Sequence, residues 1–328
     1  MKITIRSVGA YHPKTSVTNA FFLKHFQDQG KDIDHFLKHM GRKSRYMIQN
    51  ETENGLTMGI EAAKDALKRA KLSGEAMDMI VFSTQVPEYT FPTNATFVHH
   101  AIHASSRTII MDSNANCGGM TVAVDHACRY MLANPSVNQT LVVGSDYNTL
   151  VCDPNDEVTY ANYGDAACAV ILEKTEGESG FLGSSYYSET LENKDKIIFP
   201  SVGLSQALRN GENGRYLKWI PFDGGCALPP AYQNIQELLD VEHLQPTDVK
   251  AYCLSQFSLA NILEIQNHFH LDDEQIIYIG DQYGYTGTSS PFLALYEGIK
   301  EKRINRGDYV IFWTVGAGFQ TIGVLFNY

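Results

Sequence analysis

The sequence lacks any long apolar run. Its longest runs are strand-sized, such as Ile80 to Phe82 and Tyr309 to Trp313, and they are too short to span a bilayer. The first residues, Met1 to Arg6, alternate in polarity like a first strand and lack the apolar core of a signal peptide. We therefore expect a cytoplasmic protein with no membrane partner.

Paired cysteines and clustered metal ligands are also lacking. The six cysteines form no CxxC pair and no short repeated spacing, which argues against a disulfide framework and a zinc site and favours reduced thiols. His99 and His103 have the i, i+4 spacing of a metal pair, but neither a third ligand nor a general-base Glu accompanies them. We therefore expect no metal site.

Positive charge is scarce. Lys and Arg number 26 against 37 Asp and Glu, for a net charge of −11, which argues against nucleic acid as the main partner. One local basic segment is the exception: Lys38, Arg42, Lys43 and Arg45 fall within eight residues. It is either an ordinary solvated turn or a site for an acidic ligand.

Helical and strand patterns alternate along the whole chain, which predicts a layered α/β fold. With 328 residues, 44% of them hydrophobic, the chain is long enough for two domains or one fold of two halves. We place the halves at residues 1–175 and 176–328. In the first half we predict buried strands at Met79–Ser83 and Ile109–Met111 and a helix from about Cys117 to Leu132.

The second half repeats this plan. We predict a strand at Val249–Leu254, a helix ending near His268, a strand at Ile276–Ile279 and a helix at Ser290–Glu301. Both halves then contain a buried strand followed by a loop and a helix start. Two such halves would bring their helix starts to one shared centre.

Cys117 has the most reactive setting of the six cysteines. It lies in the run Asp112-Ser-Asn-Ala-Asn-Cys-Gly-Gly119, at the predicted helix start, where the helix dipole favours a thiolate and lowers the pKa of the thiol. The glycines permit a tight turn and leave room for a substrate. Three cysteines in apolar runs are read as inert (Cys128, Cys168 and Cys253), whereas two in loops have no assigned role (Cys152 and Cys226).

Several segments together resemble β-ketoacyl-ACP synthase III, a condensing enzyme of the thiolase superfamily. In that family an Asp lies five residues before the active cysteine, as Asp112 does here. The other matching segments occur in the family's order along nearly the whole chain: Thr90-Phe91-Pro92, Val143-Gly-Ser-Asp146, Asp153-Pro-Asn-Asp156, Tyr163-Gly-Asp-Ala-Ala167 and Gly316-Ala-Gly-Phe319.

The resemblance implies a thiolase-like fold of two pseudo-repeated α/β halves in five layers. It implies that Cys117 accepts an acyl group from acyl-CoA or acyl-ACP as substrate, with no separate cofactor. The Ala317 N–H, in the loop from Gly316 to Gly318, would join the Cys117 N–H in an oxyanion hole. Phe91 would reach across a dimer interface to line the partner's acyl pocket.

The resemblance also suggests a use for the basic segment. Lys38, Arg42 and Lys43 could meet a phosphopantetheine or an acidic carrier protein.

Two of the family's functional residues are replaced. The family's His lies in a Pro-His-Gln-Ala-Asn run, and we match that His to Gln256; its Asn, in a His-Gly-Asn-Thr-Ser turn, matches Tyr285. Gln256 donates hydrogen bonds but cannot transfer a proton near neutral pH, and Tyr285 with an ordinary pKa of about 10 stays protonated. Decarboxylative condensation is therefore doubtful.

Two functional hypotheses follow. In the first, the chain is an acyltransferase that loads an acyl group on Cys117 and passes it to a carbon, nitrogen or oxygen nucleophile, in fatty-acid-like or specialised metabolite biosynthesis. In the second, it is a catalytically impaired subunit that pairs with an intact relative. Retention of Cys117 and the glycine loop favours the first, and the replaced His and Asn favour the second.

Overall fold

The computed structural model describes residues 1–210 and 214–328. The strands are β1 (Lys2–Tyr11), β2 (Ser16–Thr18), β3 (Ser44–Tyr46), β4 (Met79–Ser83), β5 (Ile109–Ser113), β6 (Gln139–Asp146), β7 (Ala166–Thr175), β8 (Gly180–Ser188), β9 (Ile197–Ile198), β10 (Lys218–Trp219), β11 (Val249–Leu254), β12 (Tyr309–Gly316) and β13 (Gln320–Asn327). The helices are α1 (Asn19–Gln27), α2 (Asp34–Met40), α3 (Gly55–Ala70), α4 (Asn94–Ala101), α5 (Gly119–Ala133), α6 (Glu157–Tyr160), α7 (Leu204–Asn210), α8 (Leu228–Val241), α9 (Leu259–Phe269), α10 (Gly280–Tyr283) and α11 (Ser290–Lys300).

Two mixed sheets form the frame of the molecule. The first has the strand order β1-β7-β6-β4-β5, and the second has the order β11-β12-β13-β8. Helices α3 and α4 cover the outer face of the first sheet, and α8 covers the outer face of the second, with α9 packed beside it. Helices α5 and α11 lie between the sheets and contact both. This α-β-α-β-α order confirms the predicted five-layer, thiolase-like fold.

The first two turns of the central helix α5, Gly119 to Asp125, are buried on all sides, as their position between two sheets requires. Its Gly119 packs against the Ser83 hydroxyl so closely that a Cβ atom there would lie 2.4 Å from the Ser83 Oγ. The helix begins at Gly119, two residues later than predicted. Cys117 therefore precedes the helix instead of opening it. The predicted division after residue 175 falls between β7 and β8, and it stays a prediction.

Two predicted strands differ from the structure. The strand at Ile109–Met111 is present, but as β5 it forms the edge of its sheet, so that Ile110 and Met111 are 37% and 40% exposed instead of buried. The predicted strand at Ile276–Ile279 forms only a single bridge, between Ile276 and Tyr252. A side-chain amide occupies two of the backbone groups of this segment, the Ile277 carbonyl and the Ile279 N–H, as described below.

No helix among the described residues is both long and apolar enough to cross a bilayer. Within the same residues, His, Cys, Asp and Glu form no cluster of three that could hold a metal ion.

Candidate active site

Cys117 lies where the two halves of the molecule meet. The loop after β5 approaches the glycine loop after β12, and the Asn116 side-chain amide donates a hydrogen bond to the Ala317 carbonyl at 2.8 Å. A Cβ atom on Gly316 would lie 3.1 Å from the Ala115 carbonyl oxygen, so the close approach of the two loops favours glycine there. The predicted meeting of Cys117 with the loop from Gly316 to Gly318 is therefore seen in the structure.

The Asp of the nucleophile segment has a structural task. Asp112 accepts hydrogen bonds from the backbone N–H groups of Asn94 and Ala95 at 2.7 and 2.8 Å and from the Asn94 amide at 2.9 Å. It thereby anchors the first turn of α4 to the end of β5, where a carboxylate is also favoured by the helix dipole. Asp112 thus positions the loop that carries Cys117 and makes its own hydrogen bonds to α4, not to Cys117.

The Cys117 thiol is held in a neutral state by its surroundings. The residue is 8% exposed, and burial raises the pKa of its thiol, which corrects the expectation of a lowered pKa. Hydrogen bonding from Tyr285 and from the Ala317 backbone lowers the pKa and so opposes this effect. The thiol also lies 3.6 Å from Gln85 Oε1, to which it donates. Because the Ala317 backbone hydrogen-bonds the thiol, it is close enough to serve as an oxyanion donor.

The buried carboxylate of Asp146 holds together the segments that lie under Cys117. Asp146 accepts hydrogen bonds from the Thr84 hydroxyl, from the backbone and side-chain N–H groups of Gln85, and from the Thr288 backbone at 2.8–3.2 Å. Thr288 in turn accepts from the Met120 backbone at 2.6 Å. Burial raises the pKa of Asp146, whereas these donors favour its ionised form. The network ties α5 to the second half beneath Cys117.

Tyr285 is brought to Cys117, as the resemblance implied. Its backbone exchanges hydrogen bonds with Asn162 and Gly164, and its ring packs 5.4 Å from Tyr163 and 5.1 Å from Phe257, centroid to centroid. Burial, and then the proximity of Cys117, raises the pKa of its phenol well above the usual value. Tyr285 is therefore a neutral hydrogen-bond donor in this site.

Gln256 does not face the site, which corrects the assignment of a chemical role to it. Its amide nitrogen donates to the carbonyls of Leu254 and Ile277 at 2.8 and 3.1 Å. Its amide oxygen accepts from the backbone N–H groups of Ile279 and Gly280 at 2.8 and 3.1 Å. All its hydrogen-bonding capacity is spent on backbone, and it supplies partners to the Ile277 carbonyl and to the Ile279 and Gly280 N–H groups in place of a strand.

Ser255 takes the position that we assigned to Gln256. Side chains alternate at the end of β11, so Ser255 lines the same cavity as Cys117 and Tyr285 while Gln256 points away. The signal was present in the sequence. Matching Gln256 to the Gln of the Pro-His-Gln-Ala-Asn run, one residue along, places Ser255 at the His position.

The basic segment is not a surface patch, contrary to one of our readings. Arg42 and Arg45 are buried, and Arg42 donates to the Asn162 side chain and the Tyr278 hydroxyl, and to three backbone carbonyls of the second half, at 2.6–3.0 Å. Burial lowers the pKa of Arg42 and lowers that of Arg45 to about 9. Arg42 therefore joins the two halves and is not free to bind substrate.

The two lysines of the segment remain outside the site. Lys38 pairs with Asp34 and Lys43 pairs with Asp281, and both lysines are exposed. Neither of them lines the cavities at Cys117 described below. A role for Lys38 or Lys43 in meeting a carrier stays a prediction.

The main cavity at Cys117 has about 790 Å³ of empty space, which includes its open mouth. Its wall is mostly apolar and aromatic, and its one charged lining residue among those described is Lys196. The aromatic residues of the wall are Tyr163, Trp219, Phe222, Phe257, Tyr285, Trp313 and Phe319. Such a wall favours an apolar ligand.

A second cavity, of about 590 Å³, also opens at Cys117. Carboxamides are frequent in its wall, which includes Gln85, Asn114, Asn116 and Asn148. Both cavities share Cys117 and Ala317. The two cavities therefore meet at Cys117 and differ in polarity.

Phe91 lies away from both cavities of this chain. It is 86% exposed and belongs to the turn that precedes α4, beside the edge strand β5. An exposed apolar side chain beside an unpaired strand edge is a surface that a second chain could cover. This placement is compatible with the predicted dimer contact.

Comparison with known proteins agrees with this geometry. Residues 111–190 match the sequence model of 3-oxoacyl-[acyl-carrier-protein] synthase III, and residues 239–328 match that of its C-terminal part, so the two together cover just over half of the chain. A protein of Wolbachia pipientis wMel named beta-ketoacyl-[acyl-carrier-protein] synthase III is 27% identical over 330 residues, covering 100% of this chain and 99% of that protein. A protein of the same name from Aquifex aeolicus VF5 is 27% identical, with full coverage of both.

Solved structures give the same result. The crystal structure of 3-oxoacyl-[acyl-carrier-protein] synthase III from Aquifex aeolicus VF5 superimposes with a TM-score of 0.86 at 25% identity, covering 99% of this chain and 100% of that one. The fold, the ordered segments and the setting of Cys117 all agree. The chain therefore belongs to the 3-oxoacyl-[acyl-carrier-protein] synthase III family of thiolase-like, acyl-transferring enzymes.

Proposed function

We propose that this protein is an acyltransferase that is acylated on Cys117 by an acyl-CoA or acyl-ACP thioester. The observation that carries the proposal is the position of the Cys117 thiol, beside the Ala317 backbone and at the junction of two cavities. The named relatives are synthases of 3-oxoacyl-ACP, and their names support an acyl thioester of a carrier protein as a ligand of this family.

The first half-reaction needs little beyond these groups. The Cys117 sulfur attacks the thioester carbonyl, and the carbonyl oxygen becomes an oxyanion that the Cys117 and Ala317 N–H groups stabilise. The intermediate then collapses and expels the donor thiolate, which takes the proton lost by Cys117. One thioester is exchanged for another with no net change in protons or oxidation state, so no oxidant is required, but the Cys117 thiol must lose its proton before it attacks.

The second half-reaction is restricted by the residues that replace the family's His and Asn. Neither Ser255 nor Tyr285 is a base near neutral pH, and both can only donate or accept hydrogen bonds. The acyl group is therefore passed to a nucleophile that needs little activation, such as an amine, an alcohol or an already acidic carbon. Decarboxylation of malonyl-ACP, whose enolate needs two strong donors, is expected to be slow.

Intact-protein mass spectrometry tests the proposal. The protein is mixed with a panel of acyl-CoAs and acyl-ACPs, and the expected result is one added acyl group, absent from a Cys117→Ala variant and retained by a Cys226→Ala variant. Loading on Cys226 instead, or no loading by any donor, contradicts the proposal. Labelled malonyl-ACP in the same assay is expected to release little carbon dioxide.

The predicted dimer contact is supported by a separate observation, the exposed edge formed by β5 and the Phe91 turn. Ile110, Met111 and Phe91 are all exposed there, and unpaired strand edges are normally covered. We propose that a second chain, either another copy or a related synthase, covers this edge. Native mass spectrometry of wild type and Met111→Lys is expected to show a dimer that the charge disrupts. An unchanged dimer, or a wild-type monomer, rejects this surface.

A further inference from the structure

The main cavity does not end at Cys117. It extends into the core of the second half, where it is lined by residues that are each at most 7% exposed and belong to one hydrophobic cluster. We call this inner end the apolar pouch, and its residues are Leu254, Ile262, Ile265, Trp313 and Phe319. The one polar group of their side chains, the Trp313 indole N–H, already donates to Asn234 at 3.1 Å. The pouch itself therefore offers no polar contact to a ligand.

Ser255 adjoins the pouch, directly after Leu254. It is 6% exposed, and its hydroxyl has no hydrogen-bond partner in the described structure. The Tyr285 hydroxyl is near enough that Ser255 favours its ionised form, yet the two groups lack the geometry of an ordinary hydrogen bond. The Ser255 backbone is fixed by its bond to the Trp313 carbonyl at 2.8 Å, which holds its Cβ at the wall of the cavity. A buried, unpaired hydroxyl is costly, and a polar ligand atom would relieve that cost.

The thioester oxygen of an acylated Cys117 is already provided for by the Cys117 and Ala317 N–H groups. The Ser255 hydroxyl, in the wall of the same cavity, is thus left for a second oxygen on the same acyl group. That oxygen must lie within a few bonds of the thioester, because the Tyr285 hydroxyl is near both the Cys117 sulfur and the Ser255 hydroxyl.

We propose that Ser255 and the apolar pouch form a specificity site for an acyl chain that carries an oxygen near its thioester, as a 3-hydroxyacyl chain does. The apolar body of the chain fills the pouch, and the Ser255 hydroxyl hydrogen-bonds the 3-oxygen. The inference rests on the proposed acylation of Cys117 and adds to it the class of acyl group.

The hydrogen bond is tested by changing both of its partners. Rates of Cys117 loading are measured with octanoyl-CoA and 3-hydroxyoctanoyl-CoA, for wild type and Ser255→Ala. Wild type is expected to prefer the hydroxylated chain by about 2- to 10-fold, the worth of one neutral hydrogen bond, and Ser255→Ala is expected to lose that preference. If Ser255 binds only water, the ratio of the two rates is the same in both proteins and the proposal is overturned. If neither donor loads wild type, it is the acylation itself that fails.

The pouch is tested by filling it. Ile265→Phe places a larger side chain in the pouch, and Leu263→Phe places the same side chain on the exposed face of α9, where Leu263 is 45% exposed. Octanoyl loading relative to acetyl loading is expected to fall at least about 10-fold in Ile265→Phe only. Ile265→Ala, which widens the pouch, is a second variant and is expected to shift the preference to longer chains. Unchanged chain-length profiles in both Ile265 variants overturn the proposal.

Discussion

The two halves of the molecule use different side chains to hold loop backbone beside the site. In the second half the neutral amide of Gln256 binds the segment from Ile277 to Gly280 with one donated and two accepted hydrogen bonds, and it donates a further one to the Leu254 carbonyl. In the first half the carboxylate of Asp165 accepts from the backbones of Ile48 and Thr149 and from the Thr149 hydroxyl at 2.5–3.0 Å.

The difference is one of charge. Both side chains are buried, but only Asp165 has a charged form whose burial costs free energy, and burial raises its pKa from 3.8 to about 6 despite its three donors. The amide of Gln256 satisfies donors and acceptors at once and does not titrate. The stability contributed by the hydrogen bonds of Gln256 should therefore be independent of pH, whereas the stability contributed by Asp165 should vary with pH.

Removing the amide is expected to have the largest effect. Gln256→Leu keeps the approximate volume but leaves four buried backbone groups without partners, and we expect the free energy of unfolding to fall by about 4 kcal/mol. Urea denaturation measures this change. Gln282→Leu is the control, because Gln282 lies in α10, directly after the segment that Gln256 binds, and is exposed. Equal effects of the two substitutions would show that the hydrogen bonds of Gln256 matter little.

Removing the carboxylate is expected to change the pH dependence. Because the folded pKa of Asp165 is about 6 against 3.8 for the free side chain, the folded protein holds this proton more tightly than the unfolded chain. Its contribution therefore lowers stability as pH rises from about 4 to about 6, by at most about 3 kcal/mol, and is constant above that range.

Asp165→Asn lacks this titration, so the wild type should lose stability relative to the variant between pH 4 and pH 6. Urea denaturation across this range measures the difference, and Asp195→Asn, at an exposed position, serves as control. A difference between wild type and Asp165→Asn that does not vary with pH would mean that Asp165 stays ionised throughout.

The smallest expected effect concerns the hydrogen bond between Tyr285, in the second half, and the Cys117 sulfur, in the first half. The Tyr285 hydrogen bond lowers the pKa of the Cys117 thiol, so Tyr285→Phe should raise that pKa and slow alkylation at neutral pH by about 2- to 10-fold. Iodoacetamide labelling followed by peptide mapping measures Cys117 separately from the more exposed Cys226. Tyr163→Phe, in the same cluster, is the control. Equal rates in all three proteins would remove Tyr285 from the activation of Cys117.

Much of the frame was predictable from sequence. The alternation of strand and helix patterns, the duplicated plan and the helix after Cys117 depend on local periodicity, which the chain carries in each segment. The edge position of β5 was not predictable in this way. The apolar pattern of Ile109 to Met111 indicates a strand, but it does not tell whether one strand or two lie beside it. Exposure of Ile110 follows from strand order, which is set by contacts between distant segments.

The sequence by itself determined the fold class, singled out Cys117 as the proposed nucleophile and anticipated its meeting with the glycine loop around Ala317. The tertiary structure decided which neighbouring side chain enters the cavity, Ser255 or Gln256, because adjacent residues of an extended chain point to opposite sides and a shift of one residue exchanges them. It also decided that Arg42 joins the two halves instead of facing a ligand, and that the Cys117 thiol has a raised pKa. Both depend on burial by segments far away in the chain, and burial of a charge or a thiol is a property of the packed molecule.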